Sequence, residues 1–133
     1  MTKEEKQLLL NDLCARLPYG VKVKYYSMDY PYGSKPVILT PYLLWDRWEN
    51  INGMQPYLRP MSSMTAEEEY EYHQCKNIDY LEICEMEHTK MLETTALCFS
   101  RATDWLNKNH FDYRGLIPMG LALEAPEGMY KVE

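Results

Sequence analysis

"SSMTAEEEYEYHQC" (residues 62–75) is where the chain changes its period. Thr65 followed three residues later by Glu68 is a capping box, in which each side chain satisfies the other residue's backbone N–H. Glu67, Glu68 and Glu69 then fall in the first turn of a helix, where the helix dipole favours anions. Upstream the sequence alternates with a period of two, and downstream apolar residues recur every three or four. Strands gathered first and helices afterwards predict an α+β fold.

Working upstream, "GVKVKYY" (20–26) places Val21, Val23 and Tyr25 on one face of a strand and Lys22, Lys24 and Tyr26 on the other. Residues 27–36 are turn chemistry, with two prolines and a glycine. "VILTPYLLW" (37–45) reads as a second strand, which Pro41 confines to an edge or breaks. Asn52-Gly53 signals a hairpin turn into a third strand around 54–59, giving a small antiparallel sheet. Before the sheet, Thr2 and Glu5 form another capping box. Leu10, Leu13, Cys14 and Leu17 then mark one face of an N-terminal helix, stopped by Pro18 and Gly20.

Working downstream, Asn77 to Asp79 suggest a break, and spacings of three and four from Leu81 to Leu106 predict a long helix. The β-branched pair Thr94-Thr95 is the place for an interruption. Lys108 and His110 fall in its last turn, where cations suit the negative end of the dipole. The tail carries three glycines and two prolines, so it reads as loop with at most one short strand around 120–124. Leu116, Ile117, Leu121 and Leu123 would pack back as the last layer. The expectation is one α+β domain over 1–133: an N-terminal helix, a small antiparallel sheet and two or three C-terminal helices packed on it.

The 133 residues carry a net charge of −6 that is unevenly placed. Residues 1–48 hold seven bases against five acids; residues 49–133 hold seven against fifteen. That acidity disfavours generic nucleic-acid binding, whose affinity comes from neutralising phosphates. No basic start precedes an apolar run and no stretch reaches the length of a membrane span, so a cytoplasmic protein with no membrane role is expected. Cys14, Cys75, Cys84 and Cys98 lack CxxC spacing and read as thiols in a reducing compartment. Tyrosine, with twelve residues against two phenylalanines, is the compositional oddity, and Tyr-rich surfaces suit recognition.

Few constellations suggest chemistry. Neighbouring glutamates such as Glu67, Glu68, Glu69 and Glu71, or Glu82, Glu85 and Glu87, mostly point to different sides of a helix and read as a solvated acidic face. Cys84 and His88 at i, i+4, with His73 and Cys75 nearby, have zinc-like spacing, yet the first two lie in the apolar stripe itself. No nucleophile elbow and no glycine-rich phosphate loop is present, and no cofactor is expected. Between Arg16 and Lys35, bases and aromatics interleave; Tyr19, Lys22, Lys24, Tyr26, Tyr30 and Tyr32 are the candidate binding residues there. "HFDYRG" (110–115) gathers His110, Asp112, Tyr113 and Arg114 at the exit of the long helix. It reads as a structural latch, with Gly115 free to take unusual backbone angles.

Three blocks carry a resemblance: Pro56 to Thr65, Asp104 to Ile117 and Gly120 to Tyr130, together with the opening Asp12 to Tyr26. In them the chain resembles uncharacterised small proteins of gut Bacteroidales and their phages or mobile elements. About half the chain is covered; residues 27–55 and 72–100 fall outside the pattern. The resemblance implies a mobile-element origin and a helix, small sheet, helix layout. It supplies no activity, cofactor or site residue. The expected function is a non-enzymatic accessory protein that binds a host protein through its acidic helical face or Tyr-rich sheet. The alternatives are a nucleotide or nucleic-acid binder using residues 16–35, and a metal-dependent hydrolase.

Overall fold

The structure, a computed structural model, describes residues 1–25, 35–47, 54–76 and 85–130. They divide into two compact units, one formed by residues 1–61 and 110–133 and the other by residues 62–109. The fold is α+β, with an N-terminal helix and helices following the sheet strands, as the change of period predicts. The Asn52-Gly53 turn and the expected break at 77–79 lie outside the described residues.

In the first unit, helix α1 (Lys3–Arg16) opens with both halves of its capping box formed. Thr2 Oγ1 accepts from the Glu5 N–H, and the Glu5 carboxylate accepts from the Thr2 N–H, each at 3.1 Å. A single 3₁₀ turn at Leu17–Tyr19 follows, and Gly20, at φ 70°, reverses the chain into the sheet. The buried face of α1 is Leu9, Asp12, Leu13 and Arg16. This corrects the face read from Leu10, Leu13, Cys14 and Leu17 by about one residue's rotation, and Cys14 is exposed. The rotation buries an aspartate and an arginine because they are paired with each other, four residues apart.

The sheet has the order β2-β1-β3-β4, built from β1 (Lys22–Tyr25), β2 (Val37–Ile38), β3 (Met54–Leu58) and β4 (Leu123–Glu124). Strand β1 runs antiparallel to both neighbours, with Val23 opposite Val37 on one side and Pro56 on the other. Strand β4 instead runs parallel to β3, Tyr57 facing Leu123, so the sheet is mixed rather than antiparallel throughout. Parallel neighbours need a long crossover, and residues 59–122 supply it. Met54, Pro56 and Leu58 alternate inward along β3. They meet Leu9 and Leu13 of α1, Val21 and Val23, and Leu116 and Leu121 of the tail in one apolar core. Each buried aliphatic side chain contributes about 1.5–3 kcal/mol. Leu116 and Leu121 therefore do form a returning layer with the half-buried Ile117 packed against it, and Leu123 is half-buried on β4.

The second expected strand is mostly a helix. After β2, Thr40 caps α2 (Pro41–Arg47), its Oγ1 accepting from the Leu43 N–H at 3.1 Å. Pro41 takes the first helical position, where a missing N–H costs nothing and the ring's fixed φ suits the turn. Only Val37 and Ile38 remain as the strand, at the edge of the sheet.

In the second unit, α3 (Ala66–Lys76) starts at its expected cap, with Thr65 and Glu68 exchanging hydrogen bonds at 3.1 and 3.2 Å. Helix α4 (His88–Lys108) lies against it, and the Tyr72 and Trp105 rings meet at 5.6 Å. Helix α4 passes through Thr94-Thr95 without interruption. Both threonines are half-buried, and packing outweighs their small propensity cost. The helix begins at His88 rather than Leu81; Glu85 to Glu87 are non-helical, and residues 81–84 lie outside the described set. It ends at Lys108, with Asn109 as its cap. His110 is thus past the last turn and takes a left-handed conformation, φ 64°.

Candidate functional site

The residues of the "HFDYRG" stretch are placed by the first unit. Residues 110–112 run beside the end of β3: the Arg59 N–H donates to the His110 carbonyl and the Asp112 N–H to the Arg59 carbonyl, both at 2.8 Å. That seats the Phe111 carbonyl against α1, where Arg16 Nη2 donates to it. Arg16 is completely buried, and its Nε donates to Asp12 Oδ2 at 2.9 Å. The second Asp12 oxygen accepts from Arg114 Nη1 at 2.7 Å. Asp112 faces a different neighbour: its two oxygens accept from the N–H groups of Leu116 and Ile117 at 2.8 and 2.9 Å. Tyr113 lies under two cations, with the Arg114 and Arg16 guanidinium carbons 4.5 and 5.4 Å from its ring centre.

His110 stacks on Tyr130 with ring centres 3.8 Å apart and planes 20° apart. Tyr130 closes the tail over the sheet, its hydroxyl accepting from the Lys22 N–H at 2.9 Å and donating to the Tyr57 carbonyl at 2.6 Å. Burial holds the His110 imidazole down to about 4, and the nearby charges of Arg16, Arg59 and Lys22 push in the same direction. Burial likewise pushes the Tyr130 phenol up to about 12, against the opposing effect of its Lys22 hydrogen bond. His110 Nδ1 and Arg16 Nη1 are buried with no hydrogen-bond partner among the described residues. At neutral pH the cluster therefore holds a neutral imidazole near the buried Arg16, whose Asp12 counter-charge also accepts from Arg114.

The basic and aromatic stretch is divided differently from the sequence reading. Tyr19 is half-buried in the 3₁₀ turn, and Lys22 and Lys24 are half-buried on β1. Lys22 is not a free cation: its Nζ donates to the Met129 carbonyl at 3.2 Å and lies 5.9 Å from the Tyr130 ring. Tyr26, Tyr30 and Tyr32 lie outside the described residues. Of the zinc-like group, His73 and Cys75 are on α3 and His88 begins α4, while Cys84 is outside the described set. Among the described residues no three His, Cys, Asp or Glu side chains gather as metal ligands. His73 Nε2 sits 3.7 Å from Glu69, exposed on α3 beside Glu67 and Glu71. Among the described residues no helix is long and apolar enough to cross a membrane.

The surface feature that sequence reasoning missed is on α2. Tyr42 and Trp45, one helical turn apart, are 78% and 77% exposed, and Ile38 on the adjoining edge strand is also exposed. Residues at i and i+3 share a helix face, so the two rings form one aromatic surface. The same helix turns Leu44 inward to the core, which fixes the face it shows outward. The signal was present as Thr40-Pro41, a capping residue before a proline at the first helical position. Comparison with protein-family models, curated protein sequences and solved structures gives no match.

Proposed function

We propose that the protein is a non-enzymatic accessory protein that binds another protein through the Tyr42 and Trp45 face of α2. The observation that carries this reading is the exposure of those two rings on a helix whose opposite side is anchored in the core. An exposed tryptophan leaves most of its apolar area in water, and tryptophan and tyrosine dominate the energetics of protein interfaces. Position on a capped helix adds rigidity, so little side-chain and backbone entropy is lost on binding. The polar cluster behind the sheet supports the non-enzymatic part. Its Asp12 and Arg16 are fully buried, and its hydrogen bonds join elements of the fold to one another.

The resemblance to proteins of Bacteroidales and their phages makes a host protein the expected partner and the cytoplasm the expected place of encounter. Affinity capture from cells of the natural source tests the reading, comparing the wild-type chain with a Tyr42→Ala, Trp45→Ala variant of unchanged melting temperature. A protein held by the wild type and lost by the variant supports it. Equal capture by both, or turnover of a substrate by the pure protein with no partner, defeats it.

A further inference from the structure

The phenol of Tyr130 stands inside the hydrogen-bond ladder of the sheet. Strands β1 and β3 pair Tyr25 with Met54, Lys24 with Gln55 and Val23 with Pro56. One step further, Lys22 and Tyr57 would exchange bonds directly, since alternate pairs of an antiparallel ladder do so. The Lys22 N–H donates instead to the Tyr130 hydroxyl at 2.9 Å, and the hydroxyl passes the bond on to the Tyr57 carbonyl at 2.6 Å. Residues 126–130 thus form a strap that closes on β1 and β3. It starts just after Ala125, whose N–H donates to the Leu58 carbonyl at 2.8 Å. Besides the phenol, the strap is held by Lys22 Nζ on the Met129 carbonyl and by the stack of Tyr130 on His110.

We propose that acid releases this strap: a proton on His110 expels Tyr130 from the ladder and frees residues 126–130, while the rest of the first unit stays folded. His110 is 7% exposed, and its Nδ1 is buried with no hydrogen-bond partner among the described residues. Protonation makes both ring nitrogens donors, so an N–H would stand buried with nothing to accept it. The charge is as ill placed as the hydrogen. Arg16 of α1, Lys22 of β1 and Arg59 after β3 all set positive charge against the ring. The carboxylates of the cluster are committed, Asp12 to Arg16 and Arg114, and Asp112 to the N–H groups of Leu116 and Ile117. Glu124 and Glu127 of the tail are exposed, and the Tyr130 phenol, pushed up to about 12, is neutral. Stacking on a phenol ring favours an imidazolium by itself. Burial and the three cations outweigh it and hold the ring down to about 4. Release returns the ring toward its ordinary 6.5, so closure is complete above that pH and is lost as pH falls through 4. The strap yields first because a few polar contacts and one stack hold it, whereas the neighbouring Phe111 and Leu116 are fully buried. The proposal does not rest on partner binding by α2.

Amide exchange of the full chain tests the strap, read residue by residue by NMR between pH 7 and pH 4 and corrected for the intrinsic rate. Protection of the Lys22 N–H should fall about a hundredfold over that range, the ratio that the bound and free values of His110 allow. Leu13, fully buried in α1, should remain about a hundredfold better protected than Lys22 at every pH, the mark of a local opening. His110→Asn, which tolerates the left-handed backbone, should make the Lys22 protection nearly independent of pH. Tyr130→Phe should leave Lys22 weakly protected at pH 7 already. Wild-type Lys22 protection that is unchanged down to pH 4 overturns the proposal. So does equal protection of Lys22 and Leu13, because the strap then opens only with the whole unit. The same fall in His110→Asn as in the wild type also overturns it, since another group would carry the proton. The two wild-type readings stand whether or not a variant folds.

Discussion

Arg16 and Phe111 are 95 residues apart, and the buried Arg16 guanidinium donates to the Phe111 carbonyl oxygen at 2.5 Å. This bond joins the end of the first helix to the segment that follows the last one. Asp12 completes it by accepting from both Arg16 and Arg114. The three charges are unequal in exposure, and that orders their mutational costs. Asp12→Ala leaves the Arg16 guanidinium buried without its counter-charge and should cost about 3–5 kcal/mol. Arg114→Ala removes a partner whose side chain is 21% exposed and should cost about 1 kcal/mol. Urea unfolding of the two variants checks the order; equal effects would mean that Arg16 does not depend on Asp12.

His110 gives the fold an acid-sensitive component. Its folded-state pKa of about 4 lies below the usual 6.5, so between those values the unfolded chain binds more protons. Stability from this group is fully present above pH 6.5 and is lost as pH falls toward 4, by about 3 kcal/mol at most. His110→Asn keeps a residue that tolerates the left-handed backbone and removes the titration. Melting temperatures measured from pH 7 to pH 4 should fall less steeply for the variant; parallel curves would contradict the assignment.

Tyr130 fastens the tail through its hydroxyl rather than through its ring alone. Tyr130→Phe keeps the stack on His110 and removes the bonds to the Lys22 N–H and the Tyr57 carbonyl. The expected cost is about 1–3 kcal/mol, because the Lys22 N–H is left without that acceptor. Faster amide exchange at Lys22 would locate the effect, and an unchanged exchange rate there would argue against it.

Thr40 holds the aromatic face in place. Thr40→Ala should cost about 1 kcal/mol by removing the cap on the Leu43 N–H. It should also weaken partner binding, since Tyr42 and Trp45 are then carried on a frayed helix. Loss of stability with full binding would show that the rings act without the helix.

What was legible in the sequence was local. The two capping boxes depend on residues three apart and formed as read, and so did β3 and the burial of Val21 and Val23. Helix α2 was hidden because an apolar run of nine residues has no decisive period, and Pro41 reads equally as a broken strand or a helix start. The direction of β4 was hidden because two-residue strands carry almost no signal and their partner is more than 60 positions away. Asp12 and Arg16 look like an ordinary surface pair at i, i+4; only the return of residues 110–114 makes them interior. His110 was read as helical because its charge suits a last turn, whereas the backbone uses it as the left-handed residue beyond. The basic and aromatic residues of β1 looked available because nothing local announces that Tyr130 and Met129 come back to meet Lys22.

Partner binding by the proposed α2 aromatic face can be probed at a single side chain. Replacing Trp45 with a photo-crosslinking phenylalanine analogue, in cells of the natural source, should yield one dominant protein adduct. The same analogue at Thr89, exposed on α4, should not yield that adduct. No adduct at position 45, or the same set of adducts from both positions, would contradict the account.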